Sequence, residues 1–415
     1  MKHLYIYLLI LLSIPLLPSD NSIDVIGVHW FAFSILNLSF IIYLFFVKLV
    51  LSPSFFFSFR PYLFLALFLF FCLLSLFYSN NLDLSIVDLS RILNVLLSIF
   101  IFSNFYSKRL SFLIISSFIS FFLIFDIFFA FKPFIDFTLN NTDSKFFSVF
   151  INNYDPSLLK GLCGNKNINA AYVLIKVPFL LYVISHLKNH IYRIFLYLLL
   201  LASIILLFLL QARSAYVSLF VISILFSLHA FFYSKKELFY VPILLLGLFF
   251  SNLISSASSS QTITSEITSI KLSNESSSSR FKLWENALEA APKSSFIGFG
   301  IGNWKIESLP YWNKNGSAST VPYHAHNDFL ELLTEIGLLG SLSYFFVFIF
   351  CFYFIFSNYI KTKNLIDMTI GCSLIIYFID ANLNFPLERA TMQFFFSIIL
   401  SLIFYRYVKN SIQFN

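Results

Sequence analysis

Long apolar runs separated by short polar breaks organise this chain from end to end. A helix needs about 20 apolar residues to cross the hydrocarbon core of a bilayer. Runs near that length centre on residues 11, 40, 70, 97, 121, 178, 202, 223, 245, 347, 373 and 398. The pattern predicts an all-α polytopic membrane protein with about twelve transmembrane helices. The first run, Leu4 to Leu17, follows Lys2 in the manner of a signal peptide. It has no small-x-small cleavage site, and Pro18-Ser19-Asp20 reads as a loop, so we read it as a retained, rather short first span.

Composition agrees with the pattern. Of 415 residues, 59% are hydrophobic and 11% charged, whereas soluble domains carry roughly a quarter charged residues. The cations give the orientation. Lys48 with Arg60, Lys108 with Arg109, Lys188 with Arg193, Lys235 with Lys236, Lys361 with Lys363, and Arg406 with Lys409 occupy alternate short loops. The positive-inside rule then puts both termini in the cytoplasm. Two long segments face outward, from about 132 to 167 and from about 251 to 326. The second begins Ser-rich (Ser251 to Ser279), which predicts extended chain. It continues with Phe281, Trp284, Leu288 and Ala291 at helical spacing, ended by Pro292. With no soluble domain and no repeat, residues 1–415 read as a single integral membrane domain whose chemistry lies in the large outer loop between spans 9 and 10.

The polar cluster that starts at His326 and runs into a hydrophobic helix holds the best candidate for chemistry. An imidazole exchanges a proton near neutral pH. Its neighbours have structural readings: His324 pairs with Asp328 four residues on, Asp328 and Glu331 suit a capping pattern, and Gly337 with Ser341 suits close helix packing. His324 and His326 lack an obvious third ligand, and the four cysteines show no Cys-x-x-Cys spacing, so no metal site is expected. Gly298-Phe299-Gly300-Ile301-Gly302 is preceded by no strand and reads as a glycine turn rather than a dinucleotide site.

Among the outward-facing cations, Arg213 is the polar break of a tight hairpin, Gln211-Ala212-Arg213-Ser214-Ala215. A guanidinium there needs a partner, structural or ligand. Arg280 sits one turn before Trp284 on the same helix face, where the indole offers it a stacking partner. The planar fork of arginine suits a diphosphate. Asn165 and Lys166, in Gly161-Leu162-Cys163-Gly164-Asn165-Lys166-Asn167, offer donors at a helix entrance, although a turn with an N-cap is the plainer reading.

His326-Asn327, nine residues, Gly337, two residues and Gly340 resembles the signature of the O-antigen ligase and O-antigen polymerase superfamily. Supporting segments occur in the expected order: Gly164-Asn165-Lys166-Asn167, Arg213-Ser214-Ala215, Arg280 through Trp284 to Pro292, the glycine stretch, and Asn384-Phe385-Pro386. The resemblance covers the chain from about residue 150 onward, and twelve spans is the family's number.

It implies that His326 is the catalytic base and that Arg213 and Arg280 hold the diphosphate of an undecaprenyl-diphosphate-linked glycan. Asn165, Lys166, His324 and Asn327 are supporting candidates. The implied chemistry is inverting glycosyl transfer at the periplasmic face of a bacterial inner membrane, with no metal or cofactor. The acceptor is lipid A-core for a ligase, another lipid-linked repeat for a polymerase, or a protein for an oligosaccharyltransferase. Membrane lipids are the other expected partners, and nucleic acid is not. A lipid-glycan transporter, the reading from another class, predicts many ionisable residues inside the spans, and only Arg91 and Asp126 stand out there.

Overall fold

A segment surrounded by hydrocarbon satisfies its backbone amides and carbonyls within itself, and the α-helix is the local way to do so. The apolar runs accordingly fold as helices. The computed structural model describes residues 2–17, 25–47, 59–105, 112–140, 146–258, 275–294, 296–313 and 323–413. Among the described residues there are helices and no strand. Eleven of these helices are long and apolar enough to cross a membrane, and a shorter apolar one, His3–Leu16, stands where the short first span is expected. Lys48, Lys108, Arg109 and the middle of the Ser-rich stretch lie outside the described residues.

The Ser-rich stretch corrects one expectation. Its first residues continue the helix Tyr240–Ala257, and its last residues begin the helix Glu275–Ala290. Serine tolerates the helix at Ser251 and Ser255 because each hydroxyl bonds back to a carbonyl of its own helix, Gly247 O at 2.6 Å and Asn252 O at 3.2 Å. The helix predicted from the spacing at Phe281, Trp284 and Leu288 is present as Glu275–Ala290, and small residues carry much of its buried face. Phe281 and Leu288 are exposed, while Leu283, Ala287 and Ala290 on the opposite face are buried. The small side chains allow this helix close to Trp304, Tyr311 and Ala325, with which Ala287 and Ala290 form a core.

The chain divides into two compact units. The first comprises Met1–His29, Arg109–Lys271 and Asn358–Ile379; the second comprises Trp30–Lys108, Leu272–Ser357 and Asp380–Asn415. In the first unit the most enclosed span is Lys166–His186. It is broken between the helices Lys166–Leu174 and Val177–His186, where Pro178 in the first turn of the second lacks the amide that would continue the ladder. Lys176 occupies the break. It is fully buried, its ammonium lies 3.5 Å from the Tyr172 ring centroid, and it is bonded to Asp126 of the helix Phe112–Asn140. Asp126, conspicuous in the sequence as a mid-span carboxylate, is therefore half of a buried ion pair.

In the second unit, polar side chains stitch spans together where hydrophobicity supplies no drive for helix association. Asn37 Nδ2 donates to Asn94 Oδ1 at 2.5 Å, and Ser98 bonds Ser397 at 3.0 Å. Arg91, the other mid-span charge, donates to Asp88 at 2.8 Å and to Glu388 at 2.5 Å. The glycine stretch packs against the end of the helix Asp328–Glu335. Phe299 N donates to Thr334 O at 3.0 Å and Gly300 N to Glu335 O at 2.9 Å. The approach requires glycine on both sides. A Cβ on Gly298 (φ +91°) would lie 2.1 Å from Glu335 O, and one on Gly337 (φ +73°) would lie 2.1 Å from Phe296 O.

Removing one charge of the Asp126–Lys176 pair strands the other in a buried site, at a cost of about 3–5 kcal/mol. Lys176→Met is expected to lower the thermal midpoint of the purified protein sharply. The double variant Lys176→Met with Asp126→Leu should recover most of the loss in the same melting experiment.

Candidate functional site

The site is built where the helix Asp328–Glu335 begins. The first amides of a helix have no partner within it, and Asn327 supplies one. Its Oδ1 accepts from Phe329 N at 3.0 Å and Leu330 N at 3.1 Å, while its Nδ2 donates to Asn382 O at 3.2 Å. The cap faces into the helix and the amide nitrogen reaches the end of another span. Just before it, His326 adopts φ +54°, in the left-handed region uncommon for a side-chain-bearing residue. Such backbone costs on the order of 1–3 kcal/mol and persists where the surroundings enforce it.

Phe385 is the platform on which the site assembles. The His324 ring stacks on it with centroids 4.3 Å apart, and the His326 ring meets it edge-on at 4.9 Å. The Arg389 guanidinium lies 4.6 Å from the same ring. Arg280 Nη2 donates to the neighbouring Asn384 Oδ1 at 3.2 Å, and Asn384 Nδ2 donates to Asp380 Oδ1 at 2.5 Å. The segment from Asp380 to Arg389 thus gathers both histidines and two arginines.

The partner of His324 is Glu331 and not Asp328. His324 Nδ1 is 2.9 Å from Glu331 Oε1, and Glu331 Oε2 accepts from Ala325 N at 2.8 Å. Four-residue pairing requires both residues on one helix, and the helix starts only at Asp328. Glu331, one turn in, reaches back over the cap instead, and Asp328 accepts from Leu387 N at 3.2 Å.

These contacts set the protonation states. Burial, then the positive charges of Arg280, His324 and Arg389, push the pKa of His326 down to about 4. His326 is therefore a neutral imidazole at physiological pH, and its Nδ1 is a buried atom with no hydrogen-bond partner among the described residues. His324 goes the other way: burial opposes its charge, but the Glu331 carboxylate, with help from Glu388, raises its pKa above the ordinary value. Burial also opposes the charge on Glu388, yet His324, Arg91, Lys305 and Arg389 together hold it below the usual carboxylate range. Burial and the charge of Glu331 push Asp328 well up. A cavity of about 20 Å³, room for one water, lies among Asp88, Arg91, Asp328, Glu331, Glu335 and Glu388.

Of the residues expected from the sequence, the second unit brings together His326, His324, Asn327 and Arg280. Arg213, Asn165 and Lys166 belong to the first unit. Arg213 starts the helix Arg213–Tyr233, just after Gln211 at φ +48°. Asn165 is an N-cap, its Oδ1 accepting from Asn167 N at 2.8 Å, and Lys166 is the first residue of the helix it caps. Phe385, Arg389 and the role of Glu331 were not anticipated. Asn384-Phe385-Pro386 stands out as a segment, but the ring of Phe385 carries no sequence signal in a chain with 58 phenylalanines. Among the described residues, no group of three or more His, Cys, Asp or Glu side chains is arranged to hold a metal ion.

Comparison with known proteins places this geometry in context. Residues 196–345 match the family model described as O-antigen ligase. That stretch contains Arg213, Arg280, His324, His326 and Asn327, and stops before Phe385 and Arg389. The chain is 26% identical over 283 residues to the ComP-specific O-oligosaccharyltransferase of Acinetobacter baylyi (strain ATCC 33305 / BD413 / ADP1), an alignment covering 65% of this chain and 48% of that protein. The chain spans about half the length of this curated relative.

The His324–Glu331 pair makes a pH-dependent contribution to stability. A histidine whose pKa is raised by folding stabilises the fold in full below its unfolded value and loses that contribution as pH rises through the folded pKa. Glu331→Gln is expected to cost about 1.5–3 kcal/mol near pH 6. Melting curves of both proteins should show the deficit shrinking as pH is raised through the folded pKa of His324, which lies above the ordinary imidazole value near 6.5. A pH-independent deficit would assign Glu331 only the Ala325 bond.

Proposed function

We infer that this chain, which belongs to the O-antigen ligase superfamily, is a glycosyltransferase of the bacterial inner membrane. Its donor is a glycan carried on undecaprenyl diphosphate, and its acceptor is a sugar hydroxyl of lipid A-core at the periplasmic face. The observation that carries this reading is His326, a neutral, half-buried imidazole with an unpartnered ring nitrogen, held beside Arg280.

In the proposed reaction His326 takes the proton of the acceptor hydroxyl as its oxygen attacks the anomeric carbon. The new carbon–oxygen bond forms on the face opposite the breaking bond to phosphate, so the configuration inverts. Undecaprenyl diphosphate leaves with the bonding electron pair. Arg280, and by family resemblance Arg213, stabilise the charge that develops on it, an electrostatic contribution that is usually large. Asn327 holds His326 in place, and Asn165 and Lys166 retain a supporting role at their helix entrance. No step calls for a metal or a nucleotide sugar.

The field at His326 gives the donor a part in its own activation. An imidazole with a pKa of about 4 is neutral but a weak base. Bound diphosphate offsets the positive charge of Arg280 and so raises the basicity of His326 once the donor is seated.

A protein-directed O-oligosaccharyltransferase is the second reading, favoured by the activity for which the Acinetobacter relative is named. Both readings share the donor, the base and the leaving group. A deletion separates them: loss of long-chain lipopolysaccharide with accumulation of lipid-linked polymer marks a ligase, and loss of glycan from a protein with intact lipopolysaccharide marks the other.

With lipid-linked glycan in proteoliposomes, His326→Ala is expected to lose transfer by about 100-fold or more while inserting at the normal level. Near-normal transfer by that variant would remove His326 from the chemistry. The pH profile gives a further check. The acid limb of kcat/KM, which reports the free enzyme, should fall well below the ordinary imidazole value near 6.5. The acid limb of kcat should lie at higher pH, because the donor is then bound.

A further inference from the structure

Two arginines reach the same short loop from different elements. Arg280, on the loop helix, donates to Asn384, and Arg389, at the end of the last loop, lies over the ring of Phe385. The other two rings on Phe385 are those of His324 and His326. Resting on the reading of this site as a diphosphate-lipid glycosyltransferase, we propose that Arg389 is a second diphosphate-binding residue, acting with Arg280 to hold the donor beside His326.

A diphosphate diester carries two negative charges, and taking both out of water demands more than one cation. Stacking on an aromatic ring engages the face of a guanidinium, while its coplanar N–H groups are the part that grips phosphate oxygens. Arg389 is partly buried at the foot of the helix Ala390–Gln413 and lies against the same ring as His326. It lies beyond residues 196–345, so the family match assigns it nothing. Phe385 would then hold base and cation at a fixed separation, with Asn384 doing the same for Arg280.

The test compares wild type with Arg389→Gln and Arg389→Lys, each as the full chain in proteoliposomes with lipid-linked glycan as donor and inorganic diphosphate as competitor. Arg389→Gln is expected to raise the donor KM by about 10- to 100-fold, the loss of charge-assisted hydrogen bonds, with a smaller change in kcat. Inhibition by inorganic diphosphate should weaken in the same proportion. Arg389→Lys keeps a charge without the fork and should fall between the two. The groups that act on His326 are Arg280, His324 and Arg389, so the acid limb of kcat/KM should also move to higher pH in Arg389→Gln. Unchanged donor KM and unchanged diphosphate inhibition in both variants, with only lower thermal stability, would make Arg389 a structural residue and leave the proposed activity standing. Failure of the wild-type protein to transfer glycan or to bind lipid diphosphate would overturn the activity and this inference with it. Should Arg389→Gln fail to fold, Arg389→Lys decides alone: wild-type donor KM in that variant overturns a role for the fork.

Discussion

The side-chain amide of Asn327 serves both ends of the site. Its oxygen takes two of the amides that open the helix Asp328–Glu335, and its nitrogen reaches the carbonyl of Asn382 at the end of another span. Between those two attachments the backbone of His326 is forced to φ +54°. A cap of this kind contributes about 1 kcal/mol, comparable to the cost of the left-handed residue beside it. The position of the imidazole therefore depends on the capping bond. The far end of the same short helix is fixed as firmly by the glycine stretch, where backbone meets backbone too closely for any Cβ.

Electrostatics then separates two histidines that stand two residues apart. His324 is given a carboxylate, which raises its pKa above the ordinary value; His326 is given burial and nearby cations, which lower its pKa to about 4. Both rest on Phe385, so the difference comes from Glu331 reaching His324 and from Arg280 and Arg389 facing His326. Two imidazoles on one ring are thus shifted in opposite directions. Behind them, Arg91 is shared by Asp88 and Glu388, which makes a mid-span arginine into a brace for the last loop rather than part of a transport pathway.

Much of the architecture was legible in the sequence, because apolar runs of bilayer length have one local solution. All twelve centres fall on helices, and the first is short as expected. His326 was legible through its position at a helix entrance, whereas the capping pattern was assigned to Asp328 and Glu331 and the cap itself is Asn327. Other features depended on three dimensions. The pairing of His324 followed from where the helix starts, a matter of one cap residue. The buried face of Glu275–Ala290 could not be read from apolar spacing, because Phe281 and Leu288 are exposed and the small Ala287 and Ala290 pack. Lys176 gave no sign of lying opposite Asp126, since a charge beside a helix break looks like a loop residue. Phe385 was invisible among so many phenylalanines.

The central claim is a single displacement with His326 as a proton acceptor and not a nucleophile. The direct measurement is the anomeric configuration of the newly formed linkage, read by proton NMR of the isolated product and compared with the sugar-phosphate bond of the donor. Inversion is the predicted result. Retention, or a glycan covalently attached to His326 in a trapped intermediate, would contradict the account.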